Sequence, residues 1–300
     1  MGKKKPLKKI KREIIYLAVR GAIAFFRVLP RKAALRIGSF LGRLAPFLAR
    51  KEHHLAVEHL TIAFGGEKSA GDIRKLARES FRYMALNFVD TIRIRSMTRE
   101  EILSVCIPHD AERMNAGQQG KGAILLTAHS GCWELLGSWV AASGIPLAVI
   151  AKRLYDPRLE EELYHSRTHA GFRVISRGQN TRETIRSLKK GYYLAALIDQ
   201  DTKVKGVFVD FFGRPAHTAA APAHLSLRYD APIIPIFTCR DKDDRHHIYV
   251  GEPIVIDHTG DRDRDIRELT SRCSRAIEDF IRAHPEQWVW FHRRWKTRPA

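Results

Sequence analysis

From residue 121 onward, short apolar runs alternate with amphipathic stretches, and that alternation constrains the fold more than any other feature of the chain. Ala123–Ala128, Pro146–Ala151, Phe172–Ile175, Tyr192–Ile198, Val207–Phe212, Ile233–Phe237 and His247–Val250 read as strands. Trp133–Ala142, Pro157–Ala170, Thr181–Lys190 and Thr218–Tyr229 read as the helices between them, and Asp263–His284 as a last long helix. This order predicts an α/β protein: a mixed, largely parallel central sheet covered by helices. Earlier in the chain, from His54 to Met97, apolar residues recur at steps of three and four, the period of amphipathic helix. The 300 residues suffice for one large α/β domain or two modest ones.

Charge divides the chain differently. The net charge is +19, and residues 1–50 supply fourteen Lys and Arg against the single acid Glu13. Nucleic-acid binders usually spread basic residues over a folded face. Here the excess forms a terminal module on a nearly balanced body, so the division expected is 1–50, basic apolar N-terminal helices, and 51–300, the α/β domain. No helix-turn-helix, finger or RNA-binding signature is present, so nucleic acid is not the expected partner.

Within that module a lysine-rich leader precedes an apolar run from Ile14 to Pro30, interrupted by Arg20 and Arg27. At 17 residues the run is short for a span, which takes roughly 20 apolar residues. A second stretch, Ala33 to Ala49, carries Arg36, Arg43 and Arg50 at intervals of seven, a polar stripe on an apolar helix that Pro46 can kink or divide. Apolar helices edged with arginine suit an anionic membrane surface, and the expected location is therefore the cytoplasmic face of a membrane, peripheral or through a single N-terminal span. Helices that simply cover the core account for the same pattern. No small-residue cleavage site follows the early apolar run, so a removed signal peptide is not expected.

The four cysteines (Cys106, Cys132, Cys239 and Cys273) lack regular spacing, which points away from a disulfide framework. The patterns G-x-S-x-G, G-x-x-x-x-G-K-[ST] and H-E-x-x-H are absent, removing the usual serine hydrolase, P-loop and metalloprotease readings. What remains is Gly122-Ala-Ile-Leu-Leu-Thr-Ala-His129-Ser-Gly-Cys-Trp-Glu134. His129 stands at a strand's carboxyl end, where open α/β sheets gather reactive groups. On one helix, residues five apart diverge by about 140°; an intervening turn lets the Glu134 carboxylate reach the imidazole. A carboxylate on one ring nitrogen leaves the other free to take a proton. The spacing alone also fits a histidine satisfied by backbone beside a glutamate that favours the helix dipole. Cys132 is a further candidate nucleophile, although a cysteine opening a helix is more often a packed residue.

His129-x4-Glu134 resembles the H-x4-D/E signature of glycerolipid and lysophospholipid acyltransferases. Segments downstream resemble one branch, the bacterial late acyltransferases of lipid A biosynthesis. They are Ala151-Lys-Arg153, Leu197-Ile-Asp199-Gln-Asp201, Gly206-Val-Phe-Val-Asp-Phe-Phe-Gly213-Arg-Pro-Ala-His-Thr218, and Trp288-Val-Trp-Phe-His292-Arg-Arg-Trp-Lys-Thr-Arg-Pro299. The resemblance implies acyl transfer from an acyl carrier protein thioester, or acyl-CoA, to a hydroxyl of an anionic glycolipid such as a lipid A precursor at the inner-membrane surface. Other glycolipids, ornithine lipid or lysophospholipids remain alternative acceptors. It implies His129 and Glu134 as the catalytic dyad, with Arg153, Asp199 and Asp201 binding substrate or oxyanion, and no metal or organic cofactor. Trp288, Trp290 and Trp295, among arginines, suit an interfacial segment or an aromatic tail packed on the core.

Overall fold

The structure, a computed structural model, describes residues 4–117, 122–151, 156–176 and 181–299, with side chains from Arg12 onward except at 116 and 117. Four helices come first: α1 Lys4–Val28, α2 Arg31–Leu48, α3 Arg50–Phe64 and α4 Ala70–Arg93. Pro30 separates α1 from α2, since a proline disfavours helix in the residue before it. Pro46 sits in the last turn of α2, where its ring crowds the preceding turn, and the helix stops two residues on. Arg50 of the expected arginine stripe therefore opens α3 rather than continuing α2. Ser69 caps α4 by accepting the Asp72 backbone N–H.

The helix α2 lies close against α4 because Gly38 and Gly42 face it. A Cβ on Gly42 would stand 2.7 Å from the Arg82 Cα, and one on Gly38 2.7 Å from Val89 Cγ2. Phe26, Ala34, Leu35, Leu86, Val89 and Ile92 fill the seam. The helix α1 is fastened at two points along its length. Arg12 reaches Asp156 at 3.0 Å and Arg158 reaches Glu13 at 2.7 Å. Near its C-terminal end, Arg93 donates to the carbonyls of Phe26 and Leu29.

The chain continues through α5 Arg99–Ser104, β1 Cys106–His109, β2 Ala123–Thr127, α6 Trp133–Ala142, β3 Leu147–Ala151, α7 Pro157–His169, β4 Arg173–Ser176, α8 Thr181–Lys189 and β5 Tyr193–Leu197. Then come β6 Gly206–Phe211, β7 Arg214–Ala219, α9 Ala221–Tyr229, β8 Ile233–Arg240, β9 His246–Val250 and α10 Arg262–Ala283. Seven strands form one sheet in the order β1-β9-β8-β2-β5-β3-β4, parallel except for the β8–β9 pair. Every residue of β2 and β8 is buried, as strands covered on both faces should be. The α/β class expected from the strand–helix alternation is the one observed.

Two elements differ from expectation. The strand β1, Cys-Ile-Pro-His, is too short and polar to show a period, and pairing with β9 makes it a strand. Thr218 does not open a helix: β6 and β7 form a separate antiparallel ribbon, with Val207 opposite Thr218, and α9 begins at Ala221. Phe212, expected to end a strand, instead takes the ribbon's turn with Gly213, both at positive φ (54° and 71°), the geometry that matches the twist of paired strands.

A buried charge cluster ties the first helices to the sheet. The β8–β9 register sets Arg240 opposite His246. Asp90, on α4, receives both through Oδ2, Arg240 Nη2 at 2.6 Å and His246 Nε2 at 3.0 Å. Arg31 at the start of α2 completes the cluster with a two-pronged grip on the same carboxylate at 2.9 and 2.8 Å. Burial alone would raise the Asp90 pKa; the His246 hydrogen bond and the two guanidiniums outweigh it and hold the group far below the usual carboxylate range.

Asp90→Ala would leave the buried Arg240 guanidinium and the half-buried Arg31 without the carboxylate they share. Unfolding measurements should show a loss of about 3–5 kcal/mol, and a midpoint equal to wild type would contradict this account of the cluster. The His246 imidazole has its pKa driven well below the ordinary value, first by burial, with Arg240 and Arg31 adding to burial and Asp90 opposing it. The unfolded chain therefore binds this proton before the folded one. Stability should fall as pH drops below about 6.5, and His246→Gln should flatten that part of the stability–pH curve.

Candidate active site

The strands β2 and β5 are parallel neighbours with Thr127 opposite Leu197. His129 and Asp199 each lie two residues past those partners. Register alone therefore sets them side by side at the carboxyl ends of the strands, with strand axes about 4.8 Å apart. The contact is direct. Asp199 Oδ1 accepts from His129 Nδ1 at 2.8 Å, and Oδ2 accepts the His129 backbone N–H at 2.8 Å. Asp199 is 1% exposed. Burial pushes its pKa up, but the His129 charge and the hydrogen bonds from His129 and Trp288 outweigh that and keep it well below the usual carboxylate range. The charged carboxylate fixes the proton on Nδ1. Nε2 of the half-buried imidazole carries no hydrogen bond among the described residues, and a neutral imidazole so held can accept a proton there. Trp133, the first residue of α6, packs across the ring with centroids 5.0 Å apart.

Between His129 and α6 the chain turns at Gly131, where φ is +56° and a Cβ would collide with the Thr238 carbonyl. Only glycine fits both conditions. The turn is clamped from outside by the C-terminal segment. The Gly131 N–H donates to the Gln287 carbonyl at 3.0 Å, Ser130 and Trp288 form a β-bridge, and the Val289 N–H donates to the His129 carbonyl at 3.3 Å. Gln287 meanwhile spans the end of β8, accepting the Arg240 N–H and donating to the Arg240 carbonyl. Trp288 donates its indole N–H to Asp199 Oδ2 at 2.8 Å.

These contacts correct several expectations. The carboxylate on the imidazole is Asp199, not Glu134. Both Glu134 oxygens are taken by Arg167 of α7, at 2.9 and 2.5 Å, a planar fork that matches a carboxylate better than a single ring nitrogen does. Asp199, expected to bind substrate or oxyanion, is sealed behind His129. Asp201 is likewise occupied by its own chain: it accepts the Thr297 N–H at 2.6 Å and the Thr297 hydroxyl at 3.0 Å, with His217 Nδ1 at 3.7 Å. Arg153 lies outside the described residues. Trp288 and Trp290 are buried to 1% and 0% exposure, so the aromatic tail packs on the core instead of facing an interface. Cys132 is buried, and burial raises its thiol to about 11, so it is not the thiolate a nucleophile needs. Among the described residues no group of three or more His, Cys, Asp or Glu is placed to hold a metal ion.

Sequence reasoning missed Arg167, which has no distinguishing context on an amphipathic helix. It also missed the pairing of Asp199 with His129, although both stand just beyond the end of an apolar strand.

Residues 1–297 match the family described as bacterial lipid A biosynthesis acyltransferase. The chain is similar to the lipid A biosynthesis palmitoleoyltransferase of Escherichia coli, 26% identical across 93% of this chain and 90% of that one. The lipid A biosynthesis myristoyltransferase of Escherichia coli is 25% identical across 92% of this chain and 85% of its own length. A phosphatidylinositol mannoside acyltransferase of Mycobacterium tuberculosis is 26% identical across 59% of this chain, and the match spans little more than half, 55%, of that enzyme.

If Glu134 and Arg167 act on each other, Glu134→Gln and Arg167→Met should each lower the melting temperature, and the double variant should lose clearly less than the two losses together. Strictly additive losses would place the two side chains in separate roles.

Proposed function

Because the chain belongs to the bacterial lipid A biosynthesis acyltransferase family, and is thus an acyltransferase, we propose that it moves a fatty acyl chain from an acyl carrier protein thioester to a hydroxyl of a lipid A precursor, with His129 as general base. The observation that supports this reading most is the His129–Asp199 contact, which leaves one imidazole nitrogen unoccupied at the carboxyl ends of the strands. An aliphatic hydroxyl is a weak nucleophile at neutral pH. As its oxygen attacks the thioester carbon, its proton passes to His129 Nε2. The carbonyl oxygen takes the negative charge, and backbone N–H groups at the start of α6, with Arg153 as a further candidate, supply donors to it. Collapse of the tetrahedral intermediate breaks the carbon–sulfur bond, and the proton goes from the imidazolium to the departing thiolate. Direct transfer fits better than an acyl-enzyme, because Cys132 stays protonated and buried. Glu134 serves this chemistry through Arg167, by fixing the turn that carries His129. The same chemistry on another phosphoglycolipid is the second reading, favoured by the likeness to the mycobacterial enzyme.

The first helices supply the attachment. No helix among the described residues is long and apolar enough to cross a membrane. Phe40, Leu44, Phe47 and Leu48 nevertheless leave their side chains in solvent along one side of α2, with Arg36 and Arg43 exposed among them and Arg50 exposed at the start of α3. Apolar side chains edged by arginine favour an anionic lipid surface, where the ring and alkyl groups enter the headgroup boundary and the guanidiniums meet phosphate. The +19 charge favours an acidic carrier protein as well.

His129→Ala should abolish transfer in a protein that still folds, and a deletion strain should make lipid A lighter by one acyl chain. Wild-type rates in the variant overturn the mechanism; unaltered lipid A with a lighter second glycolipid shifts the acceptor to the alternative. Asp199→Asn should lower kcat by roughly a thousandfold or more, as loss of the tautomer-fixing carboxylate does elsewhere. Replacing Phe40, Phe47 and Leu48 together by serine should lower partition onto anionic vesicles about tenfold or more, and sedimentation with vesicles reads this directly.

A further inference from the structure

Asp199 has more donors than an orienting carboxylate needs. One oxygen, Oδ1, serves His129 Nδ1, while Oδ2 accepts both the His129 backbone N–H and the Trp288 indole N–H, each at 2.8 Å. The indole is a donor only, with no second protonation state in the accessible pH range, so its pull on the carboxylate is constant. Nor can it swing away. Trp288 is 1% exposed, its ring packs on Trp290 at 4.7 Å and Phe211 at 5.7 Å, and its backbone bridges Ser130 in the His129 turn. The residues on either side, Gln287 and Val289, hydrogen-bond Gly131 and His129. The C-terminal segment therefore grips the reacting turn by its backbone and the orienting carboxylate by one side chain.

We propose that Trp288 is a positioning residue that sets the proton affinity of His129 through Asp199. The inference rests on the reading of His129 as the group that takes the proton. Two consequences of the indole bond carry it. The bond fixes the carboxylate plane so that Oδ1 meets Nδ1 directly. It also draws charge toward Oδ2, which limits how strongly the carboxylate stabilises the imidazolium. Without it, Asp199 would hold the imidazolium more tightly, and a larger share of His129 would be protonated and idle near neutral pH.

Other charged groups face the pair without hydrogen-bonding Asp199. His292 and Arg294 approach from the C-terminal segment, Asp201 from the loop after β5, and His217 of β7 stands near Asp201. Burial lowers the His292 pKa below the ordinary value. Arg294, lowered by burial to about 10, remains a cation throughout the neutral range and donates to the His217 carbonyl and the Thr218 hydroxyl.

The test separates the indole N–H from the bulk of the ring. The full-length protein is made with 3-benzothienylalanine at position 288, which replaces the N–H by sulfur at nearly constant volume, and in parallel as Trp288→Phe. The His129 imidazole is titrated by NMR on histidine-labelled, substrate-free protein, its signal identified by loss in His129→Ala. In the benzothienyl protein the midpoint should rise by about half a unit to one unit, a three- to tenfold gain in proton affinity. The acid limb of kcat/KM should move up with it, and KM on the plateau should stay the same. A midpoint equal to wild type in the benzothienyl protein overturns the inference, whatever Trp288→Phe does to the melting temperature, because only ring packing would then matter. A raised midpoint with an unmoved acid limb keeps the Trp288–Asp199–His129 link and instead overturns His129 as the base. The NMR arm needs no substrate, so it stands whichever glycolipid is the acceptor.

Discussion

A buried carboxylate with three neutral or imidazole N–H partners holds this site together. Asp199 has little access to water, so its charge survives only through the donors around it: the His129 backbone, the His129 ring and the Trp288 indole. Each donor comes from a structural requirement elsewhere. The first two need β2 and β5 paired in one register. The third needs the chain to return after α10 and lie against the turn at Gly131. Disturb the pairing, the turn or the return, and a buried charge loses a partner. The site and the fold therefore rest on the same hydrogen bonds.

Asp90 repeats the arrangement at the junction between the helices and the sheet. Arg31 and Arg240, from opposite ends of the chain, meet on one carboxylate, with His246 kept neutral beside them. A buried cluster of this kind contributes little net stability compared with apolar packing, but it penalises wrong arrangements strongly. Here it fixes how α2 and α4 lie on β8 and β9. The start of α2 is thereby tied through Asp90 to β8, the strand that pairs with β2, whose carboxyl end leads to His129.

Much of this is legible in the sequence. Periodicity found most of the strands of the sheet and the helices between them, because buried parallel strands and amphipathic helices leave unlike patterns. It failed at Cys106–His109, where four mixed residues have no period, and at Arg214–Ala219, which carries no strand signal and whose Thr218 reads as the start of a helix until pairing with β6 makes the segment a strand. His129 was visible as a polar residue ending an apolar strand. Sequence proximity points to Glu134, the nearest carboxylate, as its partner, an error the structure corrects to Asp199.

That error marks the boundary. Local sequence determined the strand ends, the glycine that the turn at residue 131 requires, and the supply of polar residues at those ends, since these depend on a few neighbouring side chains and the torsions they allow. Only tertiary structure decided which acid serves which base. Strand order made Asp199, 70 residues away, the lateral neighbour of His129, and α7 offered Glu134 a guanidinium that matched its shape. Side-chain hydrogen bonds between separate elements reach about 3 Å and take whatever the packing brings within it, so a separation of only five residues did not make His129 and Glu134 partners.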